Sequence, residues 1–174
     1  MHPTIILIGY RATGKSSVGQ RLAARLGLRF IDMDRELESR LGQSIAAVVA
    51  DKGWPAFRAR EQQVLAELIQ GQGLVLSTGG GAILHQGLWP QVMASGLVVW
   101  LTADQETIRR RLEADALTAS QRPALTGTDP YAEIAQVLAE REPLYRAGSH
   151  LAVDTGLLGV EEIVELIAAW VEQG

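Results

Sequence analysis

The chain has 174 residues, of which 47% are hydrophobic, and it carries a formal net charge of −4. This length is typical of one domain with a single core, and this hydrophobic content excludes a disordered chain. Because the net charge gives no electrostatic reason to bind nucleic acid or a membrane, an anionic ligand would need a local cluster of Arg and Lys.

The chain contains no cysteine, which excludes disulfides and thiolate metal sites. Its longest apolar runs are too short to span a membrane. The first residues lack the basic and long apolar regions of a secretory signal, because Gly9, Arg11 and Lys15 interrupt them. We therefore expect one cytoplasmic domain over residues 1–174.

Short apolar runs alternate with longer helical patterns along the chain, which is typical of βα units stacked into a parallel sheet. Strands are predicted at residues 4–8, 29–32, 74–77, 97–101 and 151–153. Helices are predicted at residues 15–26, 34–41, 44–51, 54–70, 103–113, 130–147 and 160–172. The expected architecture is a three-layer α/β/α fold around a five-stranded parallel sheet. Ligands should gather beyond the carboxyl ends of the strands.

Residues 9–16 read Gly-Tyr-Arg-Ala-Thr-Gly-Lys-Ser and match the phosphate-binding pattern G-x-x-x-x-G-K-[ST]. They lie between the first predicted strand and the first predicted helix, which favours a P-loop over an ordinary strand-to-helix turn. In a P-loop, successive backbone N–H groups point at one anion and the helix N-terminus adds partial positive charge. Lys15 would reach the β and γ phosphates of a nucleotide, and the Ser16 hydroxyl would ligate Mg²⁺.

The next two strands also end in residues suited to ligand binding. The second strand runs into Asp32-Met33-Asp34, which places two carboxylates on the same side at the sheet edge. One carboxylate would serve Mg²⁺ and the other a hydroxyl group, or else one of them caps the following helix. The third strand runs into Gly79-Gly80-Gly81, which either admits a ligand close to the backbone or forms a flexible turn.

Three arginines are candidates for the cationic cluster. Arg58 lies early in a predicted helix, Arg122 precedes Pro123, and Arg141 lies near the end of a long predicted helix. Each of them alone is typical of a solvated surface arginine. Arg122 belongs to the stretch 114–129, which lacks clear periodicity, and long loops in compact domains often act as lids.

Together and in this order, these residues resemble the shikimate kinase family over nearly the whole chain. The resemblance rests on residues 9–16, Asp32-x-Asp34, Phe57-Arg58 with Glu61, Ser77-Thr78-Gly79-Gly80-Gly81, Arg122-Pro123 and Arg141-x-Pro143-Leu144-Tyr145. It implies a nucleoside-monophosphate-kinase-like fold and transfer of the γ-phosphoryl group of MgATP to the 3-hydroxyl of shikimate, a step of aromatic amino-acid biosynthesis. The expected partners are ATP and shikimate, and the expected assembly is a monomer.

The resemblance also implies a role for each matching residue. Mg²⁺ would be held by Ser16, with Asp32 as a partner of the metal, and Asp34 would hold the accepting hydroxyl. Arg58 and Arg141 would clamp the substrate carboxylate beside Gly79, Gly80 and Gly81, and Arg122 would meet the transferring phosphoryl group when the lid closes. ATP would be bound by Gly9, Ala12, Thr13, Gly14, Lys15, Ser16, Ser17, Arg122 and Arg111.

Several positions depart from the family pattern or lack a role in it. Ala12 stands where a glycine is common, so the loop geometry is expected to differ slightly, and Trp54 stands where a small or acidic residue is frequent. Arg111 is the nearest candidate for an arginine that stacks on adenine, at the wrong distance from Arg122, and the alternative is an exposed helical arginine. The histidines are expected to be surface or structural residues and the tryptophans packing residues, namely His2, His85, His150, Trp54, Trp89, Trp100 and Trp170.

Two other functions match part of the pattern. One is a different small-molecule kinase of the same fold, acting on gluconate or a nucleoside monophosphate, and the other is a non-catalytic nucleotide-dependent regulator. A neutral acceptor would give no reason for both Arg58 and Arg141. Loss of Lys15, Ser16, Asp34 or Arg122 would favour the regulator, and the sequence retains all four.

Overall fold

The computed structural model describes residues 4–115, 124, 125, 129 and 131–173. Its centre is a sheet of five strands, namely β1 (Ile5–Ile8), β2 (Arg29–Asp32), β3 (Leu74–Ser77), β4 (Leu97–Thr102) and β5 (Leu151–Asp154). The strand order is β2-β3-β1-β4-β5, and every neighbouring pair is parallel. The predicted five-stranded parallel sheet is confirmed.

The described part of the chain contains the helices α1 (Lys15–Leu26), α2 (Met33–Leu41), α3 (Ile45–Leu68), α4 (Trp89–Ser95), α5 (Gln105–Ala114), α6 (Ile134–Ala147) and α7 (Val160–Gln173). The break predicted between residues 51 and 54 is a kink inside α3, where Gly53 has a non-helical φ of 78°. Helix α4 and the short 3₁₀ turn Ala82–Leu84 were not predicted. None of the helices in the described ranges is long and apolar enough to cross a bilayer.

Strand β1 lies at the centre of the sheet and is buried on both faces. Ile6 and Ile8 pack in one apolar cluster with side chains of α3 and α4, whereas Ile5 and Leu7 pack in a second cluster with α1 and α7. This alternation follows from the two-residue period of a strand. Burial on both faces explains why β1 reads as a continuous apolar run, as is typical of a parallel sheet covered by helices.

A third apolar cluster joins the segment after β1 to the helices beside it. Tyr10 packs here with residues of α5 and α6, including Ile108, Leu112 and Val137. Burying each such aliphatic side chain contributes roughly 1.5–3 kcal/mol to folding. The cluster therefore fixes the start of the predicted P-loop against α5 and α6.

Gly96 connects α4 to β4 at a point where two backbone segments touch. A Cβ atom at Gly96 would clash with the carbonyl oxygen of Thr4, the same atom that accepts a hydrogen bond from the Leu97 N–H at 2.9 Å. The neighbour is backbone directly before the central strand β1, so it cannot move aside as the end of a flexible side chain would.

We predict that Gly96→Ala lowers the free energy of unfolding by roughly 1–3 kcal/mol, the usual cost of forcing atoms into a packed interior. Gly87→Ala is the matched control, because a Cβ atom there meets nothing within 4 Å, and it should change stability by less than about 0.5 kcal/mol. Urea unfolding of both variants measures the difference. Equal midpoints would contradict the close contact between the two segments.

Candidate active site

The P-loop joins β1 to α1 through backbone conformations that favour glycine. Gly9 has a φ of 143° and Gly14 a φ of 93°, both in the region that L side chains rarely adopt. Ala12 also has a positive φ, of 61°, so the alanine at this position adds local strain while the loop keeps its turn. The first turn of α1 has no side-chain cap, which is the arrangement that leaves helix N–H groups for an anion.

Two side chains fix the inside of the loop. The buried Lys15 donates from Nζ to the carbonyl oxygens of Gly9 and Tyr10, at 2.8 Å each. Thr13 donates from Oγ1 to the same Tyr10 carbonyl at 2.8 Å. The ammonium charge of Lys15 is therefore held within the loop, next to the start of α1.

Asp32 has two functions at the carboxyl end of β2. Its Oδ1 accepts hydrogen bonds from the N–H groups of Asp34 (3.1 Å) and Arg35 (3.3 Å), so it caps α2 as one of the two alternatives predicts. Its Oδ2 accepts from the Ser16 hydroxyl at 2.6 Å. The two oxygen donors expected to serve Mg²⁺ therefore lie side by side.

A cavity of about 480 Å³ lies at the carboxyl edge of the sheet. Five separate segments of the chain contribute the candidate residues that line it, and these are Ala12, Gly14, Lys15, Ser16, Ser17, Asp32, Asp34, Arg58, Gly79, Gly80, Gly81 and Arg141. Residues far apart in sequence thus meet in one place, as expected for ligands beyond the strand ends.

Arg58 is held at the cavity wall by an acid and two aromatic rings. Its NH1 donates to Oε2 of Glu61 at 2.6 Å, and its guanidinium carbon lies 5.0 Å from the ring centre of Trp54 and 5.4 Å from that of Phe57. A Cβ atom at Gly81 would clash with the guanidinium group. Trp54, expected to be a packing residue, is a platform on which this arginine stacks.

Gly79 separates two carboxylates on neighbouring elements. A Cβ atom there would lie 2.8 Å from Oε1 of Glu61 and 3.0 Å from Oδ1 of Asp34. Glu61 is almost fully buried, with 1% of its surface exposed. The sequence motif includes Glu61 without a role, and the structure places it behind both Arg58 and Asp34. Because Glu61 follows Arg58 by three residues on a predicted helix, the sequence could have indicated this ion pair.

Gly80 is held through its carbonyl oxygen by two residues of α6. Arg141 donates from NH1 at 3.0 Å and the Tyr145 hydroxyl donates at 2.5 Å. The two side chains are one helical turn apart, so they project from the same face of α6. Burial raises the pKa of Tyr145 to about 12, and the charge of Arg141 opposes that effect. The hydroxyl therefore stays protonated and continues to donate over the whole neutral range.

Of the two arginines predicted to bind ATP, the structure describes Arg111 but not Arg122. Arg111 donates to the carbonyl oxygens of Ala12 (3.2 Å) and Thr155 (2.6 Å) and to the Thr155 hydroxyl (2.9 Å). It therefore joins α5 to the P-loop and to the end of β5, rather than extending into solvent as the alternative predicts. Arg122 and most of the stretch 114–129 lie outside the described residues, so the lid and its arginine stay predictions.

A parallel sheet with its central strand running into a P-loop, and a cavity with two arginines and an aspartate beside that loop, define a P-loop kinase. The protein-family model for shikimate kinase matches residues 11–172 of the chain. The chain therefore belongs to the shikimate kinase family, and the resemblance found in its motifs is confirmed.

Individual relatives agree with this assignment over most of their length. A shikimate kinase of Oleidesulfovibrio alaskensis is 45% identical over 86% of this chain and 87% of its own. One of Rhodopirellula baltica is 38% identical over 92% of this chain and 86% of its own. A solved structure of shikimate kinase from Acinetobacter baumannii in complex with shikimate superposes with a TM-score of 0.91 at 33% identity, covering 99% of this chain and 94% of that one.

We predict that Tyr145→Phe makes the protein less sensitive to alkaline pH. Because folding raises the pKa of Tyr145 from 10.0 to about 12, its contribution to stability is complete below pH 10 and is lost as the pH rises towards 12. The loss should reach at most roughly 3 kcal/mol. Urea unfolding below pH 10 and near pH 12 measures it in both proteins.

The matched control is Tyr131→Phe, which should keep the full alkaline loss because Tyr145 is still present. Tyr10, whose pKa burial also raises, is retained in every variant and cancels in the comparison. The same alkaline loss in the Tyr145→Phe protein and in the unmodified one would contradict the prediction.

Proposed function

We propose that this chain transfers the γ-phosphoryl group of ATP to the 3-hydroxyl of shikimate, giving shikimate 3-phosphate and ADP for aromatic amino-acid biosynthesis. The observation that carries the proposal is one cavity shared by a P-loop lysine, Asp34, and the arginines Arg58 and Arg141. A P-loop binds phosphates, whereas two arginines suit the planar carboxylate of an acid.

At the nucleotide end, Lys15 and the backbone N–H groups of the P-loop would bind the phosphates, with Ser17 beside them. Lys15 is well placed for this role because its Nζ already lies within the loop, hydrogen-bonded to Gly9 and Tyr10. Arg111 would lie against the adenine, since it donates hydrogen bonds both to Ala12 of the P-loop and to Thr155 after β5.

Mg²⁺ would be held by Ser16 and Asp32, together with the phosphates of ATP. The described residues contain no group of three or more acidic, histidine or cysteine side chains that would form a dedicated metal site. A serine hydroxyl hydrogen-bonded to a carboxylate fits Mg²⁺, which prefers oxygen ligands and retains waters and phosphates in its shell. When bound, the ion would neutralise charge on the phosphoryl oxygens.

At the acceptor end, Asp34 would orient the 3-hydroxyl and accept its proton. Phosphoryl transfer passes through a loose transition state, so the protein has mainly to position the two reactants and to neutralise oxygen charge. Arg58 and Arg141 would fix the carboxylate at the other end of the acid, next to Gly79, Gly80 and Gly81. This two-ended grip would hold one hydroxyl of the ring at the phosphate site.

The remaining assignments rest on the sequence. The motif Arg122-Pro123 supports a catalytic arginine that meets the transferring phosphoryl group from the lid at 114–129. We also propose that residues 1–174 act as one kinase domain and as a monomer, because every residue of the proposed site belongs to one chain. The cytoplasm, which supplies ATP, is the proposed location.

A coupled assay for ADP release tests the proposed function directly. We expect turnover with shikimate and none above the rate without acceptor when gluconate or a nucleoside monophosphate is supplied. Lys15→Ala should lower kcat on the order of a hundredfold or more, because the phosphate charge loses its main partner, while circular dichroism stays unchanged. Turnover with gluconate alone would favour the other small-molecule kinase, and no turnover with any acceptor would favour the regulator.

We predict that Gly81→Ala weakens binding of the acid with little effect on the fold. The new methyl group would displace the Arg58 guanidinium, which is the end of a flexible side chain, while the φ of −95° at this position is acceptable for alanine. Loss of half of a charged clamp in a buried site costs on the order of 2–5 kcal/mol, and less where solvent enters.

The KM for shikimate should therefore rise at least tenfold, while the KM for ATP changes less than about twofold. Gly87→Ala, where a new Cβ atom meets nothing within 4 Å, provides the control for a glycine replaced elsewhere. If Gly81→Ala instead weakened ATP and left shikimate unaffected, Arg58 would not belong to the acid site.

A further inference from the structure

His85 lies behind the acid site, on the side of Glu61 that faces away from the cavity. Its Nε2 is 2.9 Å from Oε2 of Glu61, and only 8% of its side-chain surface is exposed. Among the described residues that line the cavity, Arg58 and Glu61 are present and His85 is not. His85 therefore lies outside the lining of the cavity, and its side chain is joined to that lining through Glu61.

One oxygen of Glu61 accepts two hydrogen bonds. Arg58 donates to Oε2 from the cavity side at 2.6 Å, and His85 meets the same atom from behind. A carboxylate paired with an arginine only accepts hydrogen bonds, so Nε2 of His85 must carry the hydrogen. The other oxygen, Oε1, faces Gly79 and the carboxylate of Asp34. Glu61 is thus a buried carboxylate with one oxygen held by two donors.

The position of His85 is itself fixed by the backbone. Its N–H donates to the Ala82 carbonyl at 3.1 Å, and its carbonyl accepts from the Leu88 N–H at 2.9 Å. The 3₁₀ turn Ala82–Leu84 directly follows Gly81, the residue over which the Arg58 guanidinium lies. The chain leads from Gly81 through the turn to His85, and hydrogen bonds then join His85 to Glu61 and Glu61 to Arg58. The Arg58 guanidinium in turn lies against Gly81, so these residues form a ring of contacts.

We propose that His85 is a positioning residue for the acid substrate, which holds Glu61 from behind so that Glu61 presents the Arg58 guanidinium to the carboxylate. A guanidinium group has five N–H donors, so a single bond to Glu61 leaves others for a ligand. Without His85, Oε2 loses one of its two partners in a buried site, and the Glu61 carboxylate is free to rotate and to take Arg58 with it. This proposal rests on the proposed function, because it assumes that Arg58 binds the acid.

The test compares two replacements of similar size that differ in their ability to donate. His85→Gln retains an N–H donor, whereas His85→Leu fills the space without one. We expect His85→Leu to raise the KM for shikimate on the order of tenfold, with kcat and the KM for ATP changed less than about twofold. His85→Gln should restore most of the shikimate affinity. A role in packing alone would be served equally well by leucine.

A double-mutant cycle tests whether the effect passes through Arg58. In the Arg58→Ala background, His85→Leu should add less than about twofold to the KM for shikimate, because its target is already absent. Full multiplication of the two effects would show that His85 acts by another route and would overturn the proposal. His150→Ala is the control. His150 accepts a hydrogen bond from the Val98 N–H near the amino end of β4, whereas the cavity lies at the carboxyl ends of the strands. This substitution should therefore leave both KM values unchanged.

The outcomes separate the two proposals. If the unmodified chain does not phosphorylate shikimate, the proposed function fails and the role of His85 fails with it. If the unmodified chain is active and the Gln and Leu variants have the same KM for shikimate, only the role of His85 is overturned. Circular dichroism of each variant shows whether it is folded, and if the leucine variant is not, His85→Met, which also lacks an N–H donor, takes its place in the comparison with His85→Gln.

Discussion

Just after the carboxyl end of β3, charged side chains lie directly against the backbone at Gly79 and Gly81. A Cβ atom at Gly79 would press on the carboxylates of Glu61 and Asp34, and one at Gly81 would overlap the guanidinium of Arg58. The charged groups therefore fill the volume that side chains of this segment would otherwise occupy. The glycines are therefore needed for the cavity to form. Three charged side chains from α2 and α3, namely Asp34, Arg58 and Glu61, come together here because the backbone beside them carries no side chains.

The polar groups around the cavity are held by specific partners. Glu61 is buried between Arg58 and His85, while Arg141 and Tyr145 donate to the carbonyl oxygen of Gly80. A buried carboxylate without partners would be very costly, and its partners here also restrict its motion. The same contacts that satisfy Glu61 therefore hold an arginine at the cavity wall, so the cost of burying the acid is offset by preorganisation for an anionic ligand.

Much of the fold and most of the site follow from the sequence, for identifiable reasons. Strands β1, β3 and β4 are recognisable because a strand buried on both faces is a short apolar run, and the P-loop because its glycines are required by backbone conformation. Helix α4 was not predicted because it has only seven residues and begins at Trp89-Pro90. A segment this short does not show a clear helical repeat of apolar residues. Strand ends are predictable to within one residue here because each strand either ends in Ser, Thr or Asp or is followed directly by glycine.

The role of His85 could not be predicted because it depends on a contact between distant parts of the chain. His85 meets Glu61 across a separation of 24 residues, and a search for metal-ligand spacing around a histidine does not reveal such a pair. Trp54 lies four residues before Arg58 on α3, so helical spacing already brings the two side chains together. The partner of Trp54 is therefore set by its own helix, whereas that of His85 is set by tertiary structure.

The strand order sorts the two substrates of the proposed reaction onto different halves of the sheet. Asp34 and Gly79–Gly81 follow β2 and β3 on one side of β1, whereas Arg111 contacts Thr155 after β5 on the other side. The P-loop lies between them, after the central strand. Arg141 and Tyr145 are the exception, because they belong to α6, between β4 and β5 in sequence, and donate to the Gly80 carbonyl on the acceptor side. A change that adapts the β2–β3 side to another acceptor must therefore keep its fit to α6, so the two halves of the sheet have to vary together.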